Sequence, residues 1–152
     1  MMTPEERLAE LGLEIPQVAA PVAAYVPAVR SGSHVFTSGQ LPMRDGQLLA
    51  TGKVGGAVTP EQAQECARQC GLNALAAIRA EIGELARVKR VVKVVAFVAS
   101  TPDFTGQPQV ANGVSELLGK VFGDAGLHAR SAVGVPVLPL DAPVEVELLV
   151  EV

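Results

Sequence analysis

Tryptophan is absent from this 152-residue chain, tyrosine occurs once and phenylalanine four times, so aromatic residues make up only 3%. With so few rings there is no platform on which successive nucleic-acid bases could stack. Basic residues are also scarce. Twelve Lys and Arg stand against sixteen Asp and Glu, giving a net charge of −4 and a pI near 5.2, the opposite of the basic stripe that a phosphate-backbone binder presents. A small anion held by a single arginine remains compatible with that balance. The two cysteines, Cys66 and Cys70, lie four apart in a helical pattern, and His34 and His128 are isolated elsewhere. No zinc-site spacing results, so no metal is expected, and both thiols read as reduced, small core residues. Long apolar runs are missing too. Hydrophobic residues reach 49%, yet charges interrupt every stretch before the roughly 18 residues of a membrane span. The N-terminus carries Glu5, Glu6, Arg7 and Glu10 where a signal peptide would have a basic start and an apolar run. A cytoplasmic location is the expectation.

What is present is Val, Ala and Leu in regular patterns. Three Thr-Pro pairs each set a good N-cap residue before the helical position where proline is harmless. Thr3 to Glu6 forms a capping box and predicts a short helix to about Leu11. Thr59 to Gln62 opens a longer one, with Ala63, Cys66, Ala67, Cys70, Ala74, Ala77, Ile78 and Ile82 at spacings of three and four before Gly83. Thr101 and Pro102 are followed by Gly106 and Pro108, so the third helix starts later and runs through Val110, Val114, Leu117, Leu118 and Val121 to Gly123. Val-rich strands are predicted over Tyr25–Arg30, His34–Ser38, Val88–Ala99, Ala129–Val137 and Val144–Val152. The segment Leu41 to Val58 reads as a loop or weak hairpin. The order ββ, helix, β, helix, ββ, with no internal repeat or long linker, predicts one α+β domain over residues 1–152, of which 1–20 form an N-terminal helical extension.

The central strand is apolar on both faces, with Val92, Val94, Ala96 and Val98 opposed by Val91, Val95 and Phe97. Two helices can cover one face of its sheet; the other would be a large sticky patch. A second copy of the chain is the simplest cover, and the N-terminal helix with the glycine-rich loop is the alternative.

In the last two strands, Ala129, Ser131, Val133 and Val135 alternate with Arg130, Ala132 and Gly134, and Val144, Val146, Leu148 and Val150 alternate with Glu145 and Glu147. If both apolar stripes face the helices, Arg130 and Glu145 point together toward the subunit interface. A guanidinium flanked by small residues can fork a carboxylate; an interface salt bridge is the competing reading. Ser38 lacks a histidine and acid in triad relation, so it reads as structural rather than nucleophilic.

The run Gly126, Leu127, His128, Ala129, Arg130, Ser131, Ala132, Val133, with Leu138, Pro139, Asp141 and Val144 to Glu147, resembles the C-terminal signature of the Rid family, the YjgF-like reactive intermediate deaminases. Tyr25, Val26 and Phe36, Thr37, Ser38, Gly39, Gln40, Leu41, Pro42 resemble its N-terminal half, and the likeness extends over nearly everything after about Pro21. The resemblance implies a chorismate-mutase-like mixed sheet with two main helices on one face, a homotrimer with clefts between subunits, and hydrolysis of enamine and imine acids to 2-keto acids and ammonia without cofactor. It also implies roles. Arg130 would clamp the substrate carboxylate, Glu145 would position or activate water, Tyr25, Ser38 and Gly39 would line the cleft, and Asn112 would stand at its edge. Ala132 replaces a common cleft cysteine and His128 a frequent proline, marking a divergent subgroup. Two other functions compete: a non-catalytic binder of 2-keto acids or related carboxylates, and a ribonuclease or translation inhibitor of the endoribonuclease L-PSP type, which the acidic balance disfavours.

Overall fold

The computed structural model describes residues 1–18 and 24–152. Ala19 and Ala20, at the end of the expected N-terminal extension, and Pro21, where the family resemblance begins, lie outside the described residues. Both capping boxes form as their sequences require. Thr3 caps α1 (Pro4–Glu10) and Thr59 caps α2 (Pro60–Ile82), each accepting from the backbone N–H of the third helical residue, whose side chain accepts from the cap's own N–H. At the third Thr-Pro pair the Thr101 hydroxyl bonds Asp103 instead, and α3 (Gln107–Phe122) starts after Gly106 with no side-chain cap.

Five strands form the main sheet: β1 (Ala28–Ser31), β2 (His34–Thr37), β5 (Arg90–Ala99), β6 (Ala129–Val135) and β7 (Val144–Glu151), in the order β1-β2-β7-β5-β6. All neighbours run antiparallel except β5 and β6, which are parallel and joined through α3. A parallel pair needs such a crossover, because a tight turn cannot reverse the chain twice. The last two strands are not neighbours, since β5 lies between them. The Leu41 to Val58 segment contains a small hairpin, β3 (Met43–Arg44) and β4 (Gln47–Leu48). Its turn residues Asp45 and Gly46 both take positive φ, as a two-residue Asp-Gly turn demands.

The core lies between α2, α3 and one sheet face. Val35, Val91, Val94, Ala96, Val98, Val144, Val146, Leu148 and Val150 are buried there against Cys66, Ala67, Cys70, Leu75, Ile78, Val114 and Leu118. Each fully buried Val or Leu contributes about 1.5–3 kcal/mol, so this stripe is the main stabilising surface. Burial pushes the Cys66 thiol up to about 11 and the Cys70 thiol well above its ordinary value, which keeps both protonated as core residues. A bulge at Val92 shifts the alternation of β5, so that Val91 joins Val94, Ala96 and Val98 on the helix side.

The opposite face carries Lys93, Val95, Phe97, Leu149, Glu145 and Glu147, with Val29, Phe36 and Val133 between 44% and 51% exposed. The alternative cover for this face fails. Helix α1 packs on α3, and β3 packs on α2, so both sit on the helix side.

Candidate functional site

Strand β6 corrects the expected orientation. Arg130 is registered beside Val94, Ala132 beside Ala96 and Gly134 beside Val98, all helix-side residues, whereas Ala129, Ser131 and Val133 share the open face. In β7, Glu145 pairs with Phe97 and Glu147 with Val95 on the open face. Arg130 and Glu145 therefore lie on opposite faces of one sheet. The physical reason is position: β6 is an edge strand, where the helix layer ends in the polar flank of α3 and the open face carries the apolar residues.

The Arg130 side is built by α3 and the turn before β6. Asn112 and Ser115, three apart and so on one helix face, present their oxygens to the guanidinium. Arg130 Nη1 donates to Asn112 Oδ1 at 2.8 Å and to Ser115 Oγ at 3.2 Å. Both acceptors are neutral, and the ion pairs found among the described residues, Lys53 with Asp141 and Arg68 with Glu65, do not involve Arg130. Its remaining N–H donors are left in the fork geometry that suits a carboxylate. Ala132, next on the same face, leaves room beside it. His128 contacts the same group, with Nε2 2.9 Å from Ser115 Oγ and Nδ1 2.6 Å from the Gly126 carbonyl oxygen.

The Glu145 side is built by β7 and the segment that follows β2. Thr37 turns its hydroxyl to accept the Leu148 N–H at 2.9 Å, and pairing resumes at Gln40, which exchanges both backbone bonds with Val146. This brings Gly39 directly against Glu145. A Cβ on Gly39 would collide with the carboxylate and stand 2.8 Å from its Cδ, so a larger residue there would push the Glu145 side chain out of this position. Partial burial raises the Glu145 carboxyl above its ordinary value of 4.5, and the Glu147 carboxylate adds to the rise; the cause is loss of water around the charged form. Ser38 donates its hydroxyl to the Val26 carbonyl at 2.6 Å and its N–H to Pro27 at 2.8 Å, tying down the chain just after Tyr25, which is 48% exposed. The predicted strand from Tyr25 begins only at Ala28.

The structure thus joins Arg130, Asn112 and Ala132 on one side and Glu145, Gly39 and Ser38 on the other. Ser115 was not singled out by sequence reasoning; its spacing of three from Asn112 on a predicted helix is the signal that could have found it. Among the described residues no three His, Cys, Asp or Glu side chains gather closely enough to hold a metal ion, and no helix is long and apolar enough to cross a membrane.

A curated relative, protein TCP17 of Trypanosoma cruzi, is 48% identical over 145 residues, spanning 95% of this chain and 91% of its own length. A crystal structure of a protein of unknown function from Agrobacterium tumefaciens is 43% identical, with a TM-score of 0.91 over 99% of this chain and 92% of that one. That of E. coli TdcF with bound serine is 26% identical, with a TM-score of 0.61 over 90% and 94%. Residues 5–152 match the family model described as "YjgF/chorismate mutase-like, putative endoribonuclease". The mixed sheet, the two covering helices and this match across nearly the whole chain agree, and the protein belongs to the YjgF-like family.

Proposed function

We propose that this protein hydrolyses 2-imino and enamine acids to 2-keto acids and ammonia in clefts that each draw on two copies of the chain. The observation that carries this reading is a guanidinium with no carboxylate partner among the described residues, steadied by two neutral oxygens at the edge of the sheet. Such a group suits the carboxylate of a small acid. The serine bound by TdcF is an amino acid with that same carboxylate.

Chemistry of this kind asks little of the protein. The imine carbon is already electrophilic, so orientation by the carboxylate and one well-placed proton acceptor suffice. Water adds to that carbon as the C=N π pair moves to nitrogen, and Glu145 takes the proton that water loses. That proton passes to nitrogen to give a carbinolamine; its hydroxyl then gives up the second water proton to the same nitrogen by way of Glu145, the C–N bond breaks with its electron pair going to nitrogen, and the carbonyl forms as ammonia leaves. A carboxyl with a raised pKa is better matched to exchanging protons near neutral pH than an ordinary one. An enamine must first gain a proton on carbon, and that donor is left unassigned.

Opposite faces of one sheet cannot grip one small molecule. One copy would supply Arg130, Asn112 and Ala132, and a neighbour Glu145, Gly39, Ser38 and Tyr25. The open apolar face, with Val29, Phe36 and Val133 exposed, is a surface that self-association would bury. A closed ring of three copies satisfies both requirements, and the chain acts as one domain within it.

The test is to generate 2-aminoacrylate with a serine dehydratase and follow pyruvate release. Acceleration by the protein that disappears in Arg130→Ala is the expected result. No acceleration, with 2-keto acids still bound in calorimetry, would replace the deaminase with a carboxylate-binding regulator.

A further inference from the structure

His128 and Ser115 have no role in the reaction just described, yet they form an unbroken path to its principal ligand-binding group. The hydrogen positions follow from chemistry. The Gly126 carbonyl can only accept, so His128 Nδ1 carries the proton across their 2.6 Å contact. Arg130 can only donate, so Ser115 Oγ accepts from Nη1 at 3.2 Å. In the tautomer whose Nε2 carries no proton, the Ser115 hydroxyl proton is then directed at that nitrogen, 2.9 Å away. Each bond runs in the same direction, from Arg130 through Ser115 and His128 to Gly126, and bonds so aligned polarise one another.

The far end of this path is fixed by packing. Gly126 is buried, and a Cβ there would collide with the Leu118 carbonyl oxygen and stand 2.8 Å from its carbon. The Gly126 Cα, adjoining the carbonyl that anchors His128, is therefore held close against the end of α3, the helix that also supplies Asn112 and Ser115. Both ring nitrogens are engaged, so His128 has no free nitrogen to offer a ligand.

We infer that His128 is a positioning residue: it orients the Ser115 hydroxyl, which fixes the Arg130 guanidinium for carboxylate binding. This rests on the reading of Arg130 as the carboxylate clamp. Ordering the fork before the ligand arrives lowers the entropy that binding must overcome. Asn112 holds the same Nη1 by a separate bond, so losing the His128 path weakens the clamp without abolishing it.

The experiment is a mutant cycle read by calorimetry with 2-oxobutyrate and by KM and kcat on 2-aminoacrylate, using His128→Ala, His128→Gln, Ser115→Ala, the Ala/Ala double variant and Arg130→Ala. Ser115→Ala and His128→Ala are each expected to weaken binding about three- to tenfold, the range for losing one hydrogen bond. KM should rise more than kcat falls. The double variant should bind no more weakly than Ser115→Ala alone, because His128 acts through Ser115. His128→Gln should restore binding, since its carboxamide oxygen can accept where Nε2 did. Additive losses, or a glutamine variant as weak as alanine, would overturn the inference. So would His128→Ala binding like wild type while Arg130→Ala binds nothing. Undiminished binding in Arg130→Ala would instead sink the clamp itself. Should His128→Ala fail to fold, His128→Leu, which fills the space of the ring without an acceptor, replaces it and is expected to bind as weakly as Ser115→Ala; binding like wild type would overturn the inference.

Discussion

Strands β6 and β7 read almost alike, each a run of alternating small or branched apolar residues with an ionisable group in the off positions, but they occupy the sheet differently. Strand β7 is central, paired with β2 and β5, and its valines all turn to the helices while Glu145, Glu147 and Glu151 are half-buried on the other side. Strand β6 is at an edge, and there the odd set Ala129, Ser131 and Val133 faces outward while Arg130 reaches the polar side of α3. A central strand is pressed by helices that demand its apolar stripe. An edge strand beside the end of a helix layer can afford a cation on that side, because water and the polar flank of α3 are both within reach.

This contrast has consequences that experiment can break or sharpen, and subunit mixing has the largest. On the proposed shared cleft, Arg130→Ala and Glu145→Gln should each abolish turnover alone, whereas assemblies re-formed from an equal mixture should recover about one quarter of wild-type activity, since an intact Arg130 half meets an intact Glu145 half in about one case in four. Recovery near zero would mean that both residues serve a cleft from the same copy. Next in size is the open face. Val133→Glu should leave the helical signal intact while sedimentation shows dissociation to monomers and pyruvate release is lost; a variant that still assembles fully would show that this end of β6 lies outside the interface.

Gly39→Ala puts a methyl where the Glu145 carboxylate lies and is expected to displace that flexible side chain, lowering turnover while costing about 1 kcal/mol of stability or less, measured by urea midpoints. Adding Glu145→Ala should relieve most of that loss. The smallest effect is the pH response of the same carboxyl. Its folded-state pKa is raised above 4.5, so the fold holds this proton more tightly than the unfolded chain does. The group's contribution is therefore fully present below about 4.5 and is lost as pH rises through the raised value. Glu145→Gln should flatten the stability profile in that window; an unchanged slope would show that the environment of Glu145 does not perturb it.

Legibility in the sequence followed the range of the interactions involved. Both capping boxes, the ends of α2 at Thr59 and Gly83, the Asp-Gly hairpin region and the Val stripes of β5 and β7 were readable because each depends on neighbours within a few positions. The third helix start was less clear, and Gly106 without a side-chain cap explains it. In the site, Asn112, Arg130, Gly39 and Glu145 were named individually, yet the sheet face to which Arg130 turns was misjudged. Ser38 directs its hydroxyl to the Val26 carbonyl, in keeping with a structural part, and His128 is engaged at both ring nitrogens. Nothing in the string of letters ties Ser115 to His128, thirteen residues away.

By itself the sequence determined where helices begin and end, which strands alternate and with what period, and that one face of the sheet would be left apolar, because those properties are set by local backbone chemistry and the two-residue pleat. Only tertiary structure decided the side to which each alternation turns. Strand order, the bulge at Val92 and the reach of α3 along β6 depend on contacts between distant segments, and together they divide Arg130 from Glu145 across the sheet.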